Sequence, residues 1–271
     1  MNTRTALRAL LLGGLTWVGS GLAHAAIMLP NGDNFLNGTV EFTWGSNGSA
    51  RIDPALYVGG NTDFPTGLDT VFLPPSGVAA STGLDFSYSI GGLGTDNAHI
   101  TYRIANNTST AWTNLRFIGD VSGDTFDTQM ELASAQGAGG GAGDPARFGI
   151  DDFINGDLFL NDVLNTGELD NANHCLGACQ SEGALQWNLD ALGQGKVWEI
   201  DVLLSELGAI QSQRWLEFAL TDAGGTVLDP AQVLTYSGTA VVVPLPPSLL
   251  VFSAALLALG LTPRGQRRGS M

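Results

Sequence analysis

Basic residues are scarce in this chain of 271 residues, where 11 Lys and Arg stand against 26 Asp and Glu. The scarcity is uneven. Between residues 26 and 243 the only basic side chains are Arg51, Arg103, Arg116, Arg147, Lys196 and Arg214, while all 26 acids lie there, a net charge of −20. A field of that sign repels phosphate backbones and anionic lipid, so it excludes nucleic acid as a partner. Histidine is scarcer still: past residue 25 only His99 and His174 occur, and no serine sits in a Gly-x-Ser-x-Gly turn. A carboxylate pair could still hydrolyse a glycoside, but nothing singles out one pair among 26 acids. The chain reads as a non-enzyme.

Long apolar runs are missing too, except at the two ends. Arg4 and Arg8 precede a short apolar stretch from Ala9 to Leu22, and Ala23-His24-Ala25 follows. This is the layout of a secretory leader read by signal peptidase, with cleavage before Ala26. The stretch is interrupted by Gly13, Gly14 and Gly19, and falls short of the roughly 20 apolar residues of a spanning helix. At the other end, Val241-Val242-Val243-Pro244-Leu245-Pro246-Pro247 runs into Ser248 to Leu261, which carries no charge. Arg264, Arg267 and Arg268 come next. Arginines after an apolar segment stop transfer and stay on the cytoplasmic side. The prolines mark where the hydrophobic helix starts.

These C-terminal residues carry a resemblance. The sequence VPLPPS (Val243 to Ser248), an apolar segment and a terminal arginine cluster together resemble the PEP-CTERM sorting signal in its VPLP-type variant. The family implies a membrane-embedded cysteine transpeptidase, exosortase, as processing partner, with cleavage near Val243, Pro244, Leu245, Pro246 and Pro247. It also implies a transient inner-membrane intermediate, then release to the surface or matrix of a Gram-negative bacterium that makes exopolysaccharide. The glutamate of the family's core motif is absent here, with Leu245 in its place.

The expected division is a signal peptide over 1–25, an acidic domain over 26–240 and the sorting tail over 241–271. The middle has the period of strands. Val40, Phe42 and Trp44 alternate with polar residues, as do Leu84, Phe86, Tyr88 and Ile90. So do Ile100, Tyr102 and Ile104, Trp198 to Leu204, and Leu216, Phe218 and Leu220. Period-two alternation gives one buried and one wet face. Gly91-Gly92, Asn106-Asn107, Gly193-Gln194-Gly195 and Gly224-Gly225 supply the turns. The expected fold is all-β: an immunoglobulin-like, Greek-key antiparallel β-sandwich with irregular loops. Ile100 to Asp120 resembles the strand-turn-strand of bacterial surface β-sandwich modules. Leu185 to Leu189, the Gly193 turn and Trp198 to Ile200 look like uncharacterised exported domains with such tails, a similarity over most of residues 95 to 240 that implies no activity.

Four features of the middle invite chemistry. Cys175 and Cys179 are the only cysteines, and in an oxidising compartment they read as a disulfide. His174 and Asp170 beside them suggest zinc, but a second pair of ligands is missing. Asp120, Asp124 and Asp127, and Asp151, Asp152 and Asp157, fall in acidic segments of the kind that hold calcium weakly. Neither segment matches the calcium-loop spacing, and solvated turn carboxylates are the simpler reading. The run from Gln136 to Asp144 lacks the Lys-Ser/Thr of a phosphate cradle and reads as a flexible surface loop. Trp44, Trp187, Trp198 and Trp215 lie in strand patterns and read as core before they read as a sugar platform. No cofactor is expected beyond calcium. A carbohydrate- or calcium-binding module is the alternative to a non-catalytic surface protein, and a secreted hydrolase stands third.

Overall fold

The computed structural model describes residues 40–44, 48–58, 70–71, 77–78, 83–123, 130–152, 168–175, 181–221 and 233–245. The leader, the apolar stretch from Ser248 and the arginine cluster lie outside the described residues. Among the described residues no helix is long and apolar enough to cross a membrane.

The described chain is all-β. Its strands are β1 (Val40–Trp44), β2 (Gly48–Val58), β3 (Thr70–Val71), β4 (Gly77–Val78), β5 (Asp85–Gly91), β6 (Asn97–Asn106) and β7 (Trp112–Gly123). They continue with β8 (Met130–Gln136), β9 (Arg147–Asp152), β10 (Ser181–Leu192), β11 (Lys196–Ser205), β12 (Trp215–Thr221) and β13 (Val233–Pro244). Two sheets result. One has the order β1-β2-β7-β10-β9 with β3 paired to β2; the other runs β4-β5-β6-β11-β13-β12-β8. Every strand pairing is antiparallel.

Alternation decides what lies between the sheets. The apolar set of each strand named above turns inward: Val40 and Phe42, Leu84 and Phe86, Ile100 to Ile104, Ile200 to Leu204, and Leu216 with Phe218 are all buried. A line of rings crosses the core from Phe86 through Tyr102 and Phe117 to Trp187, with centroids 6.1, 5.0 and 6.1 Å apart. These tilted or offset contacts suit aromatic rings and tie two strands of each sheet together. Two inward glycines admit the largest side chains. A Cβ on Gly119 would lie 2.3 Å from the Tyr236 hydroxyl, and one on Gly238 would lie 2.7 Å from the Trp187 ring. Glycine in these strands is therefore a packing requirement of the facing sheet.

The connections β6–β7 and β10–β11 each pass from one sheet to the other at the same end of the sandwich. The strand-turn-strand read over Ile100 to Asp120 is thus a corner between sheets. Asn106 organises it from full burial. Its Nδ2 donates to the carbonyls of Thr110 and Leu192, each at 2.8 Å, and its Oδ1 accepts from the Thr108 N–H and hydroxyl. The Gly195 N–H donates to the Asn106 carbonyl at 2.8 Å, which fastens the second corner to the first.

Candidate functional site

The outer face of the β2-β7-β10-β9 sheet departs from the expected wet surface. Ala55, Tyr57, Ile118, Leu169 and Ala184 form a second buried cluster there. Leu169 belongs to a segment laid over the sheet and held by its backbone. Its N–H donates to Gln186 Oε1 at 2.8 Å, and its carbonyl accepts from Arg147 Nη1 at 2.9 Å. Glu168 next to it bridges Arg147 at 3.0 Å and Arg116 at 3.5 Å. Burying one leucine in this way contributes about 1.5–3 kcal/mol.

Beside this cluster the register gathers acids from four strands. Asp53 on β2 pairs with Asp120 on β7; one step along, Arg51, Ser122, Glu182 and Asp151 stand in a row across β2, β7, β10 and β9. Asp120 and Glu182 are both 2% exposed. Among the described residues Arg51 is the cation that acts on Asp120, and it is engaged by other groups: its Nε binds Asp53 at 2.8 Å and donates to Ser122 Oγ at 3.1 Å. Desolvation therefore pushes the Asp120 carboxyl well above the usual carboxylate range, helped by the charge of Glu182, a hydrogen bond to Glu182 and the charge of Asp53, with Arg51 opposing. Burial in this pair favours the protonated carboxyl, the form in which Asp120 donates to Glu182. The other oxygen, Asp120 Oδ1, is buried without a hydrogen-bond partner.

This arrangement changes the acidic-loop expectation in detail. Asp120 lies inside β7 and is buried, whereas it was expected in a solvated loop. Asp151 and Asp152 sit at the end of β9 and pair with Glu182 and Ser181 respectively, so their side chains leave opposite faces. They cannot grip one ion together. Asp124, Asp127 and Asp157 lie outside the described residues. Among the described residues no three His, Cys, Asp or Glu side chains converge at metal-holding distance.

The zinc candidates are also dispersed. His174 Nε2 lies 2.7 Å from Asp170 Oδ2 at the exposed surface, while Cys175 is buried in the main core. There is no free cysteine among the described residues. Cys179 lies outside them. His99 is exposed and lies 3.3 Å from Asp201.

Gln136 to Asp144 is pinned along its length. Asp144 accepts from the N–H groups of Gly141 at 2.8 Å and Gln213 at 3.2 Å, and the Gly143 carbonyl accepts from Ala240 N–H at 2.8 Å. Arg214 donates to the carbonyls of Ala138 and Ala146 and stacks over Phe148, 5.6 Å from the ring centroid. Trp187 and Trp198 are core residues, but Trp215 is half-buried on the outward side of β12, where its Nε1 donates to Glu217.

The C-terminal motif begins within the fold. Val243 and Pro244 are the last residues of β13 and pair with Val197 and Lys196 of β11. Leu245 donates its N–H to the Gly195 carbonyl at 2.9 Å and is buried. Pro246, Pro247 and the three arginines lie outside the described residues.

Fold and site together define an acidic all-β domain of two antiparallel sheets, with a buried carboxyl pair on one outer face. Comparisons with protein-family models, curated proteins and solved structures returned no match for this chain.

Proposed function

We propose that this is a non-catalytic exported protein of the cell surface or extracellular matrix, sorted by exosortase and associated with exopolysaccharide. The observation that carries the reading is the ordered C-terminal run: a proline motif, 14 uncharged residues from Ser248 to Leu261, then Arg264, Arg267 and Arg268. Its position supports the reading, because the run begins in the last two residues of β13, the last strand among the described residues. The charge supports it as well. Arg51, Arg103, Arg116 and Arg147 bind acids of the same domain and Arg214 is engaged by backbone carbonyls, so these cations are already taken up within the domain and its net charge stays strongly negative. Such a surface stays dissolved among anionic polymers. In an exosortase-bearing Gram-negative host, the wild-type chain should reach the surface without its tail. Recovery of a surface form that still ends in Met271 sinks the sorting reading.

The finer fold class, an immunoglobulin-like Greek key, belongs to the same proposal. The passage of the chain between sheets at β6–β7 and β10–β11 supports it; the six and seven strands per sheet exceed an immunoglobulin domain. The Cys175–Cys179 disulfide is likewise proposed, supported by export and by the lack of a free thiol at Cys175.

One observation favours the second reading, a calcium- or carbohydrate-binding module. Asp120 presents a buried oxygen without a partner next to Glu182, and a divalent ion could replace the shared proton there. Millimolar calcium, but not magnesium, should then raise the melting temperature of the wild type and leave Asp120→Asn unchanged.

A further inference from the structure

Taking the tail as a processed segment, as proposed above, we infer that Val243, Pro244 and Leu245 form the fixed end of the folded domain, so that the enzyme cuts beyond Leu245. The proline motif is then two units. Its first three residues stay on the mature protein, and the cut falls at the Leu245–Pro246 bond or beyond it.

β13 stays in register with β11 through Val241↔Glu199, Val242↔Trp198, Val243↔Val197 and Pro244↔Lys196. Leu245 continues the ladder by one bond, from its N–H to the Gly195 carbonyl at 2.9 Å. Burial singles out the last of these residues: Val241, Val242 and Pro244 are exposed, whereas Leu245 is 9% exposed. Its anchor is rigid, because Gly195 is itself held by the Asn106 carbonyl and every polar atom of the Asn106 side chain is used.

A proline normally ends a sheet, yet Pro244 does not end this one. Successive N–H groups of a strand point to opposite sides, and that of Leu245 points to β11. The Pro244 nitrogen therefore faces the other side of β13, where pairing with β12 has stopped at Ser237. No ladder hydrogen bond is forgone there.

A processing enzyme takes its substrate as an extended chain with free backbone groups. The Leu245 N–H and the residues paired with β11 do not offer them until the strand end opens. Cutting therefore falls where this pairing has ended. The amide bond after Leu245, or a later one, breaks; its carbonyl carbon gains the oxygen of water or the nitrogen of an acceptor amine. The proton lost by that nucleophile ends on the departing nitrogen, and the tail leaves as an amine.

The purified full chain in detergent, trimmed with a broad-specificity protease and read by intact mass, tests this without any sorting enzyme. The stable product should end at Leu245 or later. A dominant product ending between 238 and 244 overturns the inference. Leu245→Asp should let trimming run into β13, and an unchanged stop also overturns it. Should that variant fail to fold, amide exchange on the wild type decides: a Leu245 N–H that exchanges at the rate of free chain refutes the docking. A failed sorting reading looks different, with a full-length surface form in the host and the same stop at Leu245 in detergent.

Discussion

The Tyr236 hydroxyl on β13 donates to the Gly119 carbonyl on β7 at 3.0 Å, joining the two sheets in the middle of the core. Burial raises the Tyr236 hydroxyl well above its usual range, so it remains a protonated donor at any physiological pH. Tyr236→Phe should cost about 1–3 kcal/mol, because the buried carbonyl loses its partner. Gly119→Ala should cost as much or more, since the added methyl meets that hydroxyl at 2.3 Å. Denaturant midpoints of the double variant should reveal coupling: with the hydroxyl gone, Gly119→Ala becomes less damaging. Strict additivity would count against a direct contact.

The Asp120–Glu182 pair sets a pH dependence of known sign. Asp120 has a raised folded-state pKa, so its contribution is fully present below the ordinary carboxylate value, about 4, and is lost as pH rises through the folded value. Asp120→Asn keeps the shape and a donor while removing the titration. Relative to wild type, the variant should gain stability steadily as pH rises from weakly acid to alkaline. Parallel urea midpoints for the two proteins across that range would falsify the shared proton.

Cys175→Ser should destabilise more than reduction of the protein. Reduction of a disulfide closing the five-residue span 175–179 removes only about 2 kcal/mol of chain constraint. Serine also puts a hydroxyl where Cys175 lies in the apolar core. Intact mass before reduction should be lighter by two hydrogens than after it, and equal masses would show free thiols.

Arg214 should matter through its shape rather than its charge. Its planar head donates to the carbonyls of Ala138 and Ala146 and lies over Phe148. Lysine cannot reproduce that fork. Arg214→Lys should therefore lose about 1.5–3 kcal/mol, close to the loss in Arg214→Ala, and both should expose Gly137–Asp144 to proteolysis. Full rescue by lysine would show that a positive charge suffices.

The strand content was legible because a side chain's face follows from its parity along the strand. Ile100, Tyr102 and Ile104 could only be buried together, and they are. Parity was also available for Trp215, which is out of phase with Leu216 and Phe218 and accordingly faces outward. Glycine in strand sequence was the available signal for Gly119 and Gly238, but it could not name Tyr236 or Trp187 as the groups that fill the space.

What the sequence determined by itself is therefore local: the strands with their inward faces, the excess of acid, and the chemistry of the two ends. Tertiary structure decided which strands became neighbours and what covered them. Asp53, Asp120 and Glu182 are far apart along the chain and meet only through the β2-β7-β10 register. Leu169 and its arginine ties then bury Ala55, Tyr57, Ile118 and Ala184 on that outer face, which no alternation pattern can signal. The same reason splits the proline motif. Its residues read as one exposed unit until β11 and the Gly195 corner supply hydrogen-bond partners that only the folded chain brings within reach.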